Sequence, residues 1–286
     1  MTTALIDLDP IVYSSGFVGE HHMYYMVVEG EDSPRTSFET KTEAHRWAED
    51  VGLEKKDYKL VDDLWVEPLE NVLNTVKRRL ASIMEQTRAT SYRGFLTGGD
   101  QFRKVIYPEY KANRKTPKPV YYEEIRDYLV AHHDAEVIDV YEADDALATC
   151  QKDTTVICTV DKDLLQVPGS HYNYVTGEHT EVEGFGTLKL SKDSRTLKGT
   201  GLKFYYAQML MGDDTDNIKG VPKMGPAGAY KLLDPLREKK AAAKVVRSEY
   251  QKAFGEKKWK TQLDLHRKLL WMHRDVPNLT RAKSAA

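Results

Sequence analysis

Three apolar runs in this chain each end on an aspartate. Ala4-Leu5-Ile6 stops at Asp7, Gly94-Phe95-Leu96-Thr97 runs through Gly98-Gly99 to Asp100, and Thr155-Val156-Ile157-Cys158-Thr159-Val160 stops at Asp161. Apolar runs of this length, rich in β-branched residues, read as buried strands. A fourth strand, Val137-Ile138-Asp139-Val140, leads into a helix in which Ala143, Ala146, Leu147 and Cys150 keep a 3.6-residue spacing. Between the strands lie amphipathic helical patterns, one over Leu69–Thr87 with Val72, Leu73, Val76, Leu80 and Ile83 on one face, another over 120–131. Strands alternating with helices predict an α/β fold with a mainly parallel central sheet flanked by helices. In such a sheet the C-terminal strand ends share one edge, which is where open α/β folds bind ligands.

That edge collects carboxylates. The helix after the fourth strand opens with Glu142, Asp144 and Asp145. One acid in a first turn is explained by the helix dipole, at about 0.3–1 kcal/mol. Three are not, because two carboxylates about 4 Å apart repel by roughly 4 kcal/mol at an effective dielectric near 20. Asp163 follows Asp161 by two residues, and Asp213 and Asp216 face one way from a single turn. The candidate set is therefore Asp7, Asp100, Glu142, Asp144, Asp145, Asp161, Asp163, Asp213 and Asp216. Taken singly, each is equally well explained as a helix cap or turn residue. Together, an all-oxygen set without His or Cys suits Mg²⁺ or Mn²⁺. Two such ions about 3.5–4 Å apart are the usual device for in-line attack on a phosphodiester.

The net charge of −2 argues weakly against a polyanion partner, but the distribution argues for one. Residues 231–283 carry 15 Lys/Arg against 6 Asp/Glu, and residues 103–118 carry six Lys/Arg against Glu109 alone. Cys150 and Cys158 are the only cysteines and form no CxxC, which favours a reducing compartment and argues against zinc. No apolar run approaches 18 residues and no secretory signal is visible, so a cytoplasmic protein without a membrane span is expected.

The remaining stretches are read as follows. Asp9-Pro10 is a turn, and residues 20–68 are a small acidic ββαβ insertion with a turn at 29–32. His21-His22 suggests metal only at first sight, since neighbours on a strand point apart. Residues 101–120, with three prolines and mixed charge, are basic and either loop-like or only partly helical. Residues 170–187 form a hairpin. A helix over 204–211 precedes the glycine-rich turn Gly220-Val221-Pro222-Lys223-Met224-Gly225-Pro226-Ala227-Gly228, where Pro226 suits a first helical position. Backbone amides in such a turn can face a phosphate. The expected division is an α/β core over 1–202 that carries the carboxylates and a basic helical region over 203–286.

These pieces resemble the 5′-nuclease, or flap endonuclease, superfamily, in particular the bacteriophage 5′→3′ exonucleases and the 5′-nuclease domain of bacterial DNA polymerase I. The matching segments are LID at Asp7, the Asp100 strand end, YPEYKANR at 107–114, YEADDALA at 141–148, TVDKDLLQ at 159–166 and MGDDTDNIKGVPKMGPAGAYKLL at 211–233, in the family's order. The resemblance implies two divalent-metal sites. The first is served by Asp7, Asp100, Glu142 and Asp144, the second by Asp161, Asp163, Asp213 and Asp216, with Asp145 near both. It implies Mg²⁺ as cofactor with Mn²⁺ as substitute, and K⁺ at the 220–225 hairpin. It also implies that 220–228 is a helix–three-turn–helix element for duplex DNA, with Gly220, Val221, Lys223, Met224, Gly225 and Gly228 at the contact and Arg103, Lys104 and Lys115 beside it. Residues 101–120 are then a basic arch in which Lys111 and Arg114 are the basic pair on the scissile phosphate, and Tyr110 is a candidate for stacking on the terminal base. The implied substrate is DNA with 5′ ends or flaps, in replication or repair, cut by a monomer that works beside replication proteins in the cytoplasm, that of a bacterial host if the chain is phage-encoded. Alternatives are a catalytically weak structure-specific DNA-binding protein, a PIN-like ribonuclease, and removal of RNA primers from RNA–DNA hybrids. Three features depart from the family's pattern: the short spacing from Asp100 to Lys111, Leu8 in place of a glycine after the first aspartate, and the 20–68 insertion.

Overall fold

The computed structural model describes residues 1–30, 36–277 and 279. Its first half runs β1 (Thr3–Asp7), α1 (Asp9–Val18), β2 (Glu20–Val28), β3 (Thr36–Phe38), α2 (Lys41–Asp50), β4 (Tyr58–Val66), α3 (Leu69–Thr87), β5 (Ser91–Gln101), α4 (Phe102–Ile106) and α5 (Tyr122–His133). Next come β6 (Glu136–Val140), α6 (Ala143–Cys150), β7 (Thr155–Cys158), a 3-10 turn (Lys162–Gln166), β8 (Gly169–Asn173), β9 (Glu178–Val182), β10 (Leu188–Leu190) and β11 (Leu197–Gly199). The chain closes with α7 (Gly201–Met211), β12 (Gly212–Asp213), β13 (Ile218–Lys219), α8 (Pro226–Leu233) and α9 (Lys239–Leu270). It divides into two units, Met1–Pro10 with Arg79–Pro117 and Asp127–Ala286, and Ile11–Arg78 with Lys118–Arg126. No helix among the described residues is long and apolar enough to cross a membrane.

The larger unit is built on a six-stranded sheet in the order β6-β5-β1-β7-β8-β9. All pairings are parallel except the closing β8–β9 hairpin. The central strand β1 buries Ala4, Leu5 and Ile6 completely or nearly so, as expected of a strand covered on both faces. Small residues let α6 approach closely: Ala143, Ala146 and Leu147 share a core with Leu5, Phe95 and Ile157. A second core joins α7 to α9, with Phe204, Ala207 and Leu210 against Ala242, Val246, Tyr250 and Leu269. Each large apolar side chain buried there stabilises the fold by about 1.5–3 kcal/mol. The path of α9 breaks at Gly255, where φ is +67°, and the Tyr250 hydroxyl donates to the Met209 carbonyl at 2.7 Å. The sheet and the C-terminal helices thus lie in one unit, and the boundary expected at residue 202 does not separate two. Gln208 of α7 is one reason, since it bonds Asp163 beside the sheet.

In the smaller unit β2 pairs antiparallel with β3 and β4, and Ala44 and Ala48 of α2 pack on Met26. A capping box starts α2: the Glu43 amide donates to Thr40 Oγ1 at 3.1 Å and the Thr40 amide to Glu43 Oε2 at 3.2 Å. The order β2, β3, α2, β4 is the ββαβ of the sequence reading. Residues 31 and 32 of the expected 29–32 turn lie outside the described residues, as do Arg281 and Lys283 of the basic C-terminal count. Asp9-Pro10 is a correction: it opens α1 and is not a turn. Proline is tolerated there because a first-turn N–H has no intrahelical partner to lose.

The basic stretch 101–120 is also less free than an arch. After α4 it lies along the loop that follows β12. The Lys111 amide donates to the Asp216 carbonyl at 3.0 Å, Asn113 Nδ2 to the Asp214 carbonyl at 2.8 Å, and Asn217 Nδ2 to the Glu109 carbonyl at 2.8 Å.

Candidate active site

The C-terminal edge of the parallel strands supplies the first carboxylates. Asp7 ends β1, and Thr159, just past β7, links it to the next acid. Thr159 Oγ1 donates to Asp7 Oδ2 at 2.8 Å and accepts from the Asp161 amide at 3.0 Å. Asp161 Oδ1 accepts from the Asp163 amide at 2.8 Å, which starts the 3-10 turn. From the far side Gln208 Nε2 donates to Asp163 Oδ1 at 2.7 Å, and Gln166 Nε2 donates to Gln208 Oε1 at 2.6 Å. Asp213 shapes its own loop, Oδ1 accepting from the Thr215 amide at 2.8 Å and the Asp216 amide at 3.3 Å. Asp144, Asp161, Asp163 and Asp216 line one cleft.

Cations are distributed unevenly among these acids. Lys111 Nζ lies 2.5 Å from Glu142 and 3.8 Å from Asp216, and Arg114 Nη2 lies 2.7 Å from Asp216. Lys162 Nζ bridges Asp163 at 2.9 Å and Asp213 at 3.0 Å. Charge follows this pattern. Against the upward push of burial, Lys111 and Arg103 hold the Glu142 carboxyl below its ordinary range, and Lys162 does the same for Asp213. Burial, then Asp9 and Asp161, push Asp7 well above its range; burial, then Asp7 and Asp161, do so for Asp144. Burial and Asp161 push Asp163 up to about 7 despite Lys162, and burial raises Asp216 despite Lys111 and Arg114.

Asp7, Asp144 and Asp161 therefore crowd together, with Lys111 offsetting only part of the charge on Asp144. Among the described residues no three such groups stand as a finished metal cage. The donor set nevertheless fits a hard divalent cation: it is all oxygen, and mutual repulsion with burial raises Asp7 and Asp144 well above the carboxylate range.

Four sequence expectations need correction. Arg103, expected to contact DNA, is only 1% exposed. Its guanidinium donates to Asp145 Oδ2 at 2.6 Å and Oδ1 at 2.9 Å, to Glu142 Oε2 at 3.1 Å, and to the carbonyls of Leu269 at 3.0 Å and Trp271 at 2.9 Å. Asp145, expected near both metal sites, is fully buried, with its oxygens taken by Arg103 and by the amides of His273 at 2.8 Å and Glu142 at 3.2 Å. Tyr110, expected to stack on a base, is 3% exposed, and its hydroxyl lies 2.8 Å from Glu142 Oε2 and 2.9 Å from Asp216 Oδ2. Asp100 is exposed, in contrast to the buried acids Asp7 and Glu142. The β5–β6 register shifts between Thr97 and Gln101, so the strand end that meets α6 is Thr97, whose Oγ1 accepts from the Ala143 amide at 3.1 Å.

Of the other expected DNA contacts, Lys104, Lys115, Lys223 and Gly225 are exposed, and Met224 and Gly228 are half-buried. Val221 is buried and its amide donates to the Leu210 carbonyl at 2.7 Å, so that amide is spent inside the protein. Gly220 is needed for close approach: a Cβ there would lie 2.3 Å from the Met211 carbonyl carbon. Sequence reasoning missed Lys162, Asp9, Thr159 and Gln208. Lys162 had a visible signal, since a lysine between two acids supplies the positive charge that such crowding demands.

Residues 67–192 match the family model of the 5′-3′ exonuclease N-terminal, resolvase-like domain. DNA polymerase I of Streptococcus pneumoniae (serotype 4) is 33% identical over 160 residues, covering 49% of this chain and 17% of that protein. The 5′-3′ exonuclease of Bacillus subtilis is 28% identical over 208 residues, covering 66% of this chain and 67% of the relative. Flap endonuclease Xni of Shewanella halifaxensis is 28% identical over 186 residues, covering 60% and 71%. The chain thus spans about one sixth of the polymerase it matches and about two thirds of the stand-alone nucleases. Its likeness to 5′-nucleases thus spans residues 67–192 in the family model and 66% of the chain in the Bacillus subtilis exonuclease.

Proposed function

We propose that the chain hydrolyses phosphodiester bonds near the 5′ ends of DNA, as a 5′→3′ exonuclease and structure-specific flap endonuclease serving replication or repair. The observation that carries this reading is the crowding of Asp7, Asp144 and Asp161, which together with burial holds Asp7 and Asp144 well above the carboxylate range despite Lys111, at the sheet edge where the superfamily's motifs converge. Relatives described as a 5′-3′ exonuclease and a flap endonuclease support the substrate class. Asp7, Glu142 and Asp144 would hold one divalent ion, and Asp161, Asp163, Asp213 and Asp216 a second. Bound there, Mg²⁺ or Mn²⁺ supplies the charge that offsets the phosphate and acidifies water for in-line attack.

The chain's own groups do the rest. Lys111 and Arg114 are now engaged with Glu142 and Asp216. Once those carboxylates are neutralised, both cations are free to grip the scissile phosphate and stabilise its developing charge. Gln208, Thr159 and the Arg103–Asp145 pair orient carboxylates and do not touch substrate. Duplex DNA lies against the exposed start of α8, with Gly225 and Lys223 facing its phosphates.

The test is a panel of 5′-labelled nicked, gapped, blunt and flapped duplexes with Mg²⁺, Mn²⁺ or chelator. Metal-dependent release of short labelled products is expected. Intact label on every substrate with both metals rejects the reading.

A further inference from the structure

A groove of about 730 Å³ lies between α7 and α9, lined by residues other than the candidate carboxylates and within the range of about 300–1,000 Å³ typical of ligand sites. Leu202, Tyr205, Tyr206 and Met209 present one helical face of α7 to it, while Gln208 on the same helix turns to Asp163. Trp271 completes an aromatic wall, its ring 5.0 Å from that of Tyr205 and nearly perpendicular to it. The rim carries Lys239, Arg247, Arg267 and Lys268 against one carboxylate, Asp264, which already pairs with Arg267 at 3.6 Å.

We propose that this groove binds single-stranded DNA, with a base against Tyr206 and Trp271 and the flanking phosphates on Arg247 and Lys268. Aromatic walls beneath an excess of cations suit this ligand. Every base has a face to stack, worth about 1–3 kcal/mol, and each phosphate needs a counter-charge. A neutral apolar ligand would leave the cations without a purpose. The groove's wall is tied to the carboxylates: the Trp271 carbonyl accepts from Arg103, and the His273 amide donates to Asp145. The inference rests on the nuclease reading only for the identity of the polymer.

The probe is fluorescein-labelled dT6, followed by anisotropy with the full chain. Tyr206→Ala and the double variant Arg247→Glu/Lys268→Glu each weaken dT6 binding by roughly tenfold or more. Both cut a blunt 5′-labelled duplex at the wild-type rate. The charge-reversal variant changes only exposed side chains, so it keeps the test valid if Tyr206→Ala misfolds. Unchanged dT6 affinity in the charge-reversal variant overturns the proposal, as does displacement of dT6 by a poly-glutamate peptide at equal or lower concentration than by unlabelled dT6. If no substrate is cut but dT6 binding depends on the groove, the nuclease reading fails and this one stands.

Discussion

Replacing Arg103 with methionine removes a buried cation and leaves its acids in place. The methionine fills most of the volume, so the loss is mainly electrostatic. Asp145 keeps only two backbone donors, Glu142 keeps Lys111 and Tyr110, and the carbonyls of Leu269 and Trp271 lose their shared donor. Removing one partner of a buried ion pair costs about 3–5 kcal/mol, or a fall in melting temperature of roughly 6–20 °C for a chain of this size. The assay is thermal unfolding by circular dichroism at pH 7, with Arg103→Met, Asp145→Asn and the double variant completing a cycle. The double variant has no uncompensated Asp145 charge, so it is expected to lose less than the sum of the single losses by about 1–3 kcal/mol. Two results refute the reasoning: Arg103→Met melting with the wild type, or strictly additive losses.

Other expectations follow from the same charge map. Asp163 is raised to about 7 from an unfolded value near 3.8, and Asp7 and Asp144 are also raised, so the native state holds protons that the unfolded chain releases. In chelator, stability is therefore greatest below about pH 4 as far as these groups are concerned and falls as pH rises through 7, by on the order of 4 kcal/mol for Asp163. Mg²⁺ at pH 8 restores it, and urea melts that are flat with pH, or indifferent to Mg²⁺, contradict the map. Tyr110→Phe takes one donor from both Glu142 and Asp216 and lowers stability by about 1–3 kcal/mol. A variant as stable as the wild type means that the hydroxyl is not structural. Gly220→Ala forces a Cβ into the end of α7 and should lower both melting temperature and duplex affinity. Wild-type values for both would show that the loop yields freely.

The α/β alternation was legible because buried parallel strands must be apolar throughout and their exits must be polar. The ββαβ segment was legible because period and turn residues change together. Side-chain destination was not. A basic residue beside an arch-like stretch reads as a DNA contact, and only the packing of α9 shows that Arg103 is enclosed by Leu269, Trp271 and two acids. Tyr110 was misread for a similar reason. Its ring belongs to the core around α7, and its hydroxyl satisfies carboxylates contributed by residues 32 and 106 positions away. Asp100 failed through register: a two-residue irregularity at the end of β5 moves an acid off the edge, and no local pattern marks it.

The central claim is that the crowded carboxylates serve hydrolysis and not only folding. Asp144→Asn tests it most directly, because Asp144 is crowded by Asp7 and Asp161 and holds no structural hydrogen bond among the described residues. Cleavage of a 5′-labelled flap in Mg²⁺ and binding of the same flap in chelator are measured side by side. The account predicts cleavage lowered by at least about 10²-fold with flap affinity equal to or above the wild type's. Cleavage at the wild-type rate would contradict it.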